Sequence, residues 1–306
     1  MLRKLIVAVL AVLISISSVY ACTSCAWTTE DGLHLLGRTY DMFGSLEGNR
    51  ITVVKEGYSL QLSPSGNGES VRMEKSFIGN ALQGSASPIY TDAINEDGLM
   101  GCLLNFPDYG YFDTQKGNGN IDVHPAFFIP YILGTCSTVD EVEEACAHLN
   151  LTSELIFGEK MSVHYIFSDR SGETIIVEPD EGGITVHRDT IGVMANAPGY
   201  DWQETNLKGY VSISNIHPEP REISGKEFSA FGHGTGGSFG LPGGYSSPSR
   251  FVRMAFMKTF APKGSDEIDG VRRMFQNFAV VYVPDGLLRQ SEASEDCEQT
   301  QCITVM

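Results

Sequence analysis

Residues 19–24 read Val-Tyr-Ala-Cys-Thr-Ser, and they mark the point where an apolar leader meets a cysteine. Arg3 and Lys4 stand near the start of the chain, and an apolar stretch occupies 5–16. A basic start, an apolar stretch too short to span a bilayer and small residues three and one positions before the cut are typical of a cleavable secretory signal. The pattern predicts a signal peptide that is removed after Ala21.

Cleavage at that point would make Cys22 the first residue, with a thiol and a free α-amine on the same residue. The amine has an ordinary pKa of about 7.7–8.0, and the thiol has one of about 8.5. The amine can therefore take the proton of the thiol near neutral pH, directly or through a water molecule. A Cys or Thr activated in this way is a nucleophile, so the sequence predicts nucleophilic chemistry at Cys22.

The composition is that of an ordinary globular protein, since 42% of the 306 residues are hydrophobic and 19% are charged. This length suits one large domain or two small ones. The formal charge of −17 becomes −19 once Arg3 and Lys4 leave with the leader, and so acidic a surface disfavours nucleic acid and anionic membranes. No second apolar run is long enough to cross a bilayer. We therefore expect no nucleic-acid partner, and no membrane contact after processing.

The cysteine and histidine patterns favour a free thiol and no metal site. Seven cysteines are an odd number, which leaves at least one thiol free in an exported protein, and Cys22 is the candidate. Cys297 and Cys302 are close enough in sequence to pair, although pairing cannot be deduced from sequence. The seven histidines are scattered without the spacing of zinc ligands, so we expect neither a metal nor another cofactor.

A hairpin is predicted to bring charged residues back beside the cysteine. Strands at 22–29 and 33–40 flank an Asp-Gly turn, and this dipeptide supplies the positive φ that tight hairpins need. Arg38 and Asp41 lie at the far end of the second strand. The hairpin therefore predicts that both side chains lie close to Cys22.

The rest of the chain predicts strand hairpins with a few helices. Further strands are predicted at 51–54, 59–62, 90–94, 99–104, 163–168, 174–178, 184–187 and 191–194. Helices are predicted at 125–133, from Ser137 or Thr138 to Leu149, at 247–258 and at 265–281. The polar tail after 284 has no clear pattern. No βαβ alternation, internal repeat or linker is evident, which indicates a layered α+β fold in one domain over 22–306.

Seven short blocks of this sequence form a recognisable series. They are Cys-Thr-Ser at 22–24, Asp-Gly-Leu-His-Leu-Leu-Gly-Arg at 31–38, Asp-Met at 41–42, Asn-Glu-Asp-Gly-Leu at 95–99, Leu-Asn-Phe-Pro at 104–107, Asn-Ala-Pro at 196–198 and Ser-Arg-Phe at 249–251. In order and spacing, from Cys22 to about Ala279, they resemble the choloylglycine hydrolases. This is the bile salt hydrolase and penicillin V acylase family of N-terminal-nucleophile hydrolases. The resemblance implies a four-layer αββα sandwich with the nucleophile at the start of a central strand.

The resemblance also implies a division of roles around the nucleophile. Cys22 would attack an amide carbonyl and form a thioester. Its α-amine would act as the base and then protonate the leaving amine. Asp41 would hold that amine in place, and the charge of Arg38 would lower the pKa of the thiol.

Three further residues would complete this machinery by resemblance. Asn105 and Asn196 would donate hydrogen bonds to the tetrahedral oxyanion, where losing one donor typically costs about 10²–10³ in rate. Arg250 would help to fix the catalytic geometry. On pattern alone, each asparagine lies near a proline and is typical of a turn, and Arg38 with Asp41 is typical of a surface ion pair.

The substrate implied by the family is a small-molecule amide. Members cleave conjugated bile acids, phenoxyacetyl amides such as penicillin V, or acyl-homoserine lactones. The block at 104–107 and the hairpin before it look nearer to the bile salt branch, which favours glycine or taurine conjugates. The predicted pocket walls are Met42, Phe43, Ile78, Phe106, Tyr109, Phe127 and Phe128.

Other classes of protein remain open at this point. Cys22 and Cys25 form a CxxC, which can be a redox pair. Residues 19–22 also approach a lipoprotein cleavage box, and lipidation would block both the thiol and the amine. The glycine-rich segment 232–237 spells GxGxxG, but it does not follow a strand and open a helix, so dinucleotide binding is disfavoured.

The predicted location of the processed chain is the periplasm or the extracellular space. An assembly of identical subunits is compatible with the sequence. Relatives continue past the region of Cys302 with further closing strands, so the sequence predicts a shortened or incomplete carboxyl-terminal end. The residues assigned to catalysis all lie upstream of it.

Overall fold

The computed structural model describes residues 21–44, 48–83, 86–112, 118–289, 291–294 and 296–306. The predicted leader lies outside the described residues except for Ala21, so that prediction is not addressed by the fold. Among the described residues, no helix is both long and apolar enough to span a bilayer.

The strands are numbered in chain order. The first ten are β1 Thr23–Thr28, β2 His34–Phe43, β3 Asn49–Val54, β4 Ser59–Gln61, β5 Ser70–Arg72, β6 Phe77–Leu82, β7 Ile89–Asn95, β8 Met100–Asn105, β9 Ile121–Val123 and β10 Leu149–Leu151. The others are β11 Leu155–Ile156, β12 Glu159–Lys160, β13 Val163–Ser168, β14 Thr174–Asp180, β15 Gly183–His187, β16 Val193–Ala195, β17 Arg221–Ile223, β18 Lys226–Phe228, β19 Leu288–Arg289 and β20 Cys297–Val305.

The helices lie close to where the sequence predicts them. They are α1 Phe128–Thr135, α2 Val139–Cys146, α3 Tyr200–Leu207, α4 Ser247–Phe260 and α5 Glu267–Phe278, with short 3₁₀ turns at Pro125–Phe127, Lys208–Tyr210 and Gly236–Ser238. Thr138 caps α2 by accepting from the Glu141 N–H, as one of the two predicted caps. The helix α3 has no counterpart in the predictions.

Two sheets form the centre of the fold. One has five strands in the order β16-β1-β2-β20-β19, and the other has seven in the order β15-β14-β13-β8-β7-β6-β3. The predicted hairpin is present, with β1 antiparallel to β2 and Ser24 opposite Arg38. A bulge between Tyr40 and Asp41 shifts the register of β2 against β20, and such a bulge redirects the side chains that follow it.

The two cores define the layers. Alternate residues of β8 and β13 point to opposite faces of the seven-stranded sheet. Leu103 and Tyr165 join a core that includes buried residues of α1 and α2. Leu104 and Ile166 join a second core, which also includes residues of β1, β2, α4 and α5. Helices, sheet, sheet and helices thus stack in four layers, which confirms the predicted α+β sandwich.

Three strands of these sheets, β6, β19 and β20, were missing from the sequence-based prediction. The strand β6 contains a glycine and an asparagine, which are poor strand formers. The strand β20 lies in the tail that showed no pattern, because the residues it buries deepest are Glu298 and Thr300. Strand assignment from sequence relies on buried apolar residues at every second position, and β20 buries polar ones instead.

Candidate active site

Cys22 directly precedes β1 and is only 2% exposed. Its Sγ lies 2.9 Å from Nη2 of Arg38 and 3.8 Å from the main-chain oxygen of Asp41. The hairpin register explains this arrangement, since β2 runs back beside β1 and returns these two residues to the start of the strand. The structure therefore brings the predicted cysteine, arginine and aspartate together.

Arg38 is completely buried and bridges the two sheets. Its Nη1 donates to the carbonyl oxygens of Thr91 at 3.0 Å and Leu103 at 2.8 Å, both on the seven-stranded sheet. The carboxylate of Asp92 lies 4.0 Å from the same nitrogen. A buried guanidinium needs such partners because an unpaired buried charge is strongly disfavoured. These contacts fix the direction in which Nη2 points at the thiol.

The pKa of the Cys22 thiol is raised rather than lowered. Burial raises it most, and the charge of Arg38 is the largest effect that opposes burial. The predicted direction of the Arg38 effect, a lowering of the thiol pKa, agrees with this structure. The pKa of the thiol nevertheless stays above its ordinary value in the chain with Ala21 attached, because a thiolate so far from water is poorly solvated.

Asp41 lies behind the cysteine on β2, with both of its carboxylate oxygens engaged. The Thr39 hydroxyl donates to Oδ2 at 3.0 Å, and the Thr300 hydroxyl donates to Oδ1 at 2.6 Å. Burial raises the pKa of Asp41 to about 6, while Arg250 and the two hydroxyls oppose the rise. The threonines were not singled out from the sequence, although Thr39 shares a strand with Asp41.

Arg250 reaches the cysteine from the first turn of α4. Its Nη1 donates to the Cys22 carbonyl oxygen and to Oγ1 of Thr23, the latter at 2.6 Å. Its Nη2 donates to Oδ1 of Asn196 at 2.7 Å. One buried guanidinium thus connects the start of β1 with the end of β16.

The two predicted asparagines also meet. Nδ2 of Asn196 donates to the main-chain oxygen of Asn105 at 2.7 Å. A side-chain amide carries two N–H bonds, so one N–H of Asn196 is left for another acceptor. Asn105 is the last residue of β8, an inner strand of the seven-stranded sheet, and it lies opposite Val163 of β13.

Glu298 on β20 was missed entirely. It is 5% exposed, and its carboxylate accepts a hydrogen bond from the Ala21 N–H. Burial raises its pKa to about 7, with Arg250 as the main opposing charge. The only sequence signal for it was a glutamate in a tail without apolar alternation, which by itself predicts an exposed residue.

Two of the predicted pocket walls are wrong. Phe127 and Phe128 are fully buried in the core under α1, where Phe128 packs against Tyr165 with ring centroids 4.4 Å apart. Cys22 belongs to the other core, across the seven-stranded sheet. An apolar segment next to a helix start could not reveal which face of the sheet it covers.

The other five predicted wall residues lie on β2, on β6 or just after β8. Met42 and Phe43 follow Asp41 on β2 and are half-buried, while Ile78 on β6 is partly exposed. Phe106 is buried, with its ring stacked 4.2 Å from His164, and Tyr109 is half-exposed with its ring 5.6 Å from Phe106. Phe106 is therefore not part of the exposed surface, whereas Tyr109 is.

The redox alternative finds no support in this geometry. Cys22 and Cys25 are three residues apart on an extended segment, roughly 10 Å along the strand, whereas disulfide bonding needs Cα atoms closer than about 7 Å. All seven cysteines carry free thiols. Within the described ranges, no cluster of three or more His, Cys, Asp or Glu side chains could hold a metal ion.

The fold is a four-layer sandwich in which a buried cysteine precedes a central strand and an arginine contacts its sulfur. These features define an N-terminal-nucleophile type of amide hydrolase. The chain belongs to the choloylglycine hydrolase family, because the family model for linear amide C–N hydrolases of that family matches residues 22–306. This confirms the resemblance recognised from the sequence blocks. The protein is therefore an enzyme of the cysteine amide hydrolase type.

Individual relatives agree with this assignment. A bile salt hydrolase/transferase from Bifidobacterium longum subsp. longum is 32% identical over 271 residues, which cover 89% of this chain and 84% of the relative. One from Clostridium perfringens is 30% identical over 286 residues, covering 92% and 85%.

Solved structures show the same fold. A variant of the conjugated bile acid hydrolase from Clostridium perfringens superposes with a TM-score of 0.82 at 28% identity, covering 93% of this chain and 86% of that one. Penicillin V acylase from Agrobacterium tumefaciens has a TM-score of 0.72 at 21% identity, covering 93% and 79%. The second likeness concerns the fold alone.

Proposed function

We propose that this protein hydrolyses the amide bond of glycine- or taurine-conjugated bile acids, using Cys22 exposed by removal of residues 1–21. The observation that carries the proposal is the 2.9 Å contact between Nη2 of Arg38 and Sγ of Cys22. A fixed cation at this distance stabilises a thiolate. The family match that begins at residue 22 supports the same starting point for the mature chain.

The reaction follows from the groups around the sulfur. The α-amine of Cys22 accepts the thiol proton, and Sγ bonds to the substrate carbonyl carbon to give a tetrahedral oxyanion. The oxyanion collapses, the C–N bond breaks, and the ammonium returns the proton to the departing glycine or taurine nitrogen. Water then attacks the thioester, giving the free acid and restoring the thiol.

Neighbouring groups supply the remaining requirements. Asp41 holds the α-amine, and the unused amide N–H of Asn196 donates to the oxyanion together with the side chain of Asn105. Arg250 donates hydrogen bonds to both Asn196 and the Cys22 carbonyl, and so it fixes the position of the Asn196 amide donor relative to the nucleophile.

The substrate preference rests on the relatives and on the remaining wall residues. The relatives at 30% identity or more are named as bile salt hydrolases. Met42, Phe43, Ile78 and Tyr109 present apolar surface of the kind that a sterol acyl group needs. Phenoxyacetyl amides such as penicillin V and acyl-homoserine lactones are the alternative substrates for the same chemistry.

The proposed maturation places this activity outside the cytoplasm. The basic, apolar and small-residue pattern of 1–21 supports export and cleavage, with 22–306 as one catalytic domain in the periplasm or the extracellular space. A lipid anchor on Cys22 would instead block both the thiol and the amine.

The test combines the mass of the terminus with the products of hydrolysis. Protein purified after export is incubated with glycocholate, taurocholate and penicillin V, and the released amines are measured. We expect an unmodified Cys22 terminus and release of glycine or taurine, abolished by Cys22→Ser and retained by the matched variant Cys25→Ser. An unmodified Cys22 terminus without any released amine would refute the proposal, and so would a terminus carrying a diacylglycerol.

A further inference from the structure

Glu298 is a buried carboxylate at the catalytic centre with unused capacity to accept hydrogen bonds. It stands on β20 opposite Phe43 of β2, and one of its oxygens accepts from the Ala21 N–H. Its Oε1 is buried and has no partner among the described residues. A buried carboxylate oxygen without a donor is costly, so this oxygen requires an explanation.

Removal of residues 1–21 deletes the donor that Glu298 uses. The Ala21 N–H leaves with the peptide, and the new α-amine of Cys22 forms one residue further along. One residue of extended chain spans about 3.3–3.6 Å, so the new amine arises within reach of the same carboxylate. An ammonium group offers three N–H donors in place of the one that is lost.

Glu298 has more unused accepting capacity than Asp41, because its Oε1 has no donor among the described residues. Both oxygens of Asp41 accept from threonine hydroxyls. In the described part of the chain, the positively charged groups that act on these two carboxylates are Arg250 from α4 and Arg38 from β2, and Arg38 also lies 4.0 Å from Asp92 of β7. The new amine adds one positive charge to this group, which favours the ionised form of the nearby carboxyls.

We infer that Glu298 is a positioning residue that holds the α-amine of processed Cys22 and stabilises its protonated form. This rests on the proposed function, in which Cys22 is the terminal residue and its amine is the base. The carboxylate then directs the amine lone pair to the thiol when the proton is transferred, and Asp41 supports the amine from β2.

The charge on Glu298 depends on whether residues 1–21 have been removed. While Ala21 is attached, burial raises the pKa of Glu298 to about 7, and Arg250 is the main charge acting in the opposite direction. An ammonium group at hydrogen-bond distance lowers the pKa of the carboxyl. A carboxyl with a pKa of about 7 is about half ionised at neutral pH before processing, and processing increases the ionised fraction of Glu298.

The experiment compares Glu298→Gln with Glu292→Gln, which removes the same charge from an exposed position. Both variants are exported and checked by mass for a Cys22 terminus, and the pH dependence of kcat/KM is measured with the best conjugated bile acid. We expect the acidic limb of Glu298→Gln to move down by about one pH unit, because an opposite charge within 4–6 Å typically shifts a pKa by about 1–3 units. Glu292→Gln should leave the limb in place.

Two results would overturn the inference. One is an unmoved acidic limb in Glu298→Gln, since a merely structural role would lower the melting temperature without shifting the limb. The other is a Glu298→Gln protein that retains its leader, which would assign the residue to processing instead.

A second measurement separates this inference from the proposed function. The α-amine of Cys22 is titrated by NMR in processed protein labelled with ¹⁵N-cysteine, for the wild type, Glu298→Gln and Glu298→Asp. We expect the amine pKa to be lowest in Glu298→Gln and intermediate in Glu298→Asp, and equal values would refute the role of Glu298. Wild-type protein that has the correct terminus but hydrolyses nothing would defeat the proposed function alone.

Discussion

Replacing Arg38 with methionine separates the electrostatic role of this residue from its structural one. Methionine fills a similar volume but removes the cation that lies 2.9 Å from Sγ of Cys22. Because burial already raises the pKa of this thiol, the loss of the main opposing charge raises it further, by about 1–3 units. The thiolate fraction near neutral pH then falls about 10-fold to 1,000-fold.

The same change also destabilises the fold. The carbonyl oxygens of Thr91 and Leu103 lose the Arg38 donor, and Asp92 loses the cation that lies 4.0 Å away. Each buried acceptor left unsatisfied costs about 1–3 kcal/mol, and breaking a buried ion pair costs about 3–5 kcal/mol. Protonation of Asp92, whose pKa burial already raises, limits the total, so we expect a loss of about 3–5 kcal/mol.

Two assays measure these effects separately in processed protein. The pH dependence of Cys22 alkylation, followed by peptide mass spectrometry, reports the thiol pKa, and urea unfolding reports the stability. Arg272→Met is the control, because it removes an arginine from the exposed face of α5. An alkylation midpoint for Arg38→Met equal to that of the control would refute the electrostatic reasoning, even if the protein were less stable.

Three further predictions concern the support of the site. Thr300→Val removes the hydroxyl that donates to Asp41 at 2.6 Å. It should raise the pKa of that carboxyl above about 6 and lower the free energy of urea unfolding by about 1–2 kcal/mol. An unchanged acidic limb in the pH profile of kcat/KM would contradict this. Although burial opposes it, hydrogen bonding to two histidines lowers the pKa of Glu178 to about 2. A carboxyl whose pKa is lower in the folded state than its unfolded value of about 4.3 stabilises the fold above that value, and this contribution is lost as the pH falls towards 2. Glu178→Gln should therefore flatten the dependence of the unfolding free energy on pH between pH 5 and 2, by roughly 3 kcal/mol. Phe128→Ala should cost about 3–5 kcal/mol and leave KM unchanged, whereas a higher KM at unchanged stability would return this residue to the pocket.

Local sequence was sufficient for the hairpin that organises the site. An Asp-Gly turn between two short strand segments indicates which strands pair and in what register. That register places Arg38 opposite Ser24 and next to Cys22. The family blocks then extended the list to Asn105, Asn196 and Arg250, which the structure brings into one cluster.

Local sequence was not sufficient for the partners that hold this cluster together. Thr300 meets Asp41 across 259 positions of the chain, and the tail that carries it has no apolar alternation. Phe127 and Phe128 show the converse error, since their apolar character predicts burial without telling which face of a sheet they cover.

The sequence by itself determined the layered class of the fold and the neighbourhood of Cys22, because periodicity and turn residues act over a few positions. The family was identified from the resemblance of short sequence blocks, in their order and spacing, to known members. Only the tertiary structure decided that Arg38 is anchored on carbonyl oxygens of the second sheet and that Glu298 faces the residue before the cysteine. Such contacts depend on which distant strands become neighbours, and that is settled by the packing of whole layers rather than by any short stretch of chain.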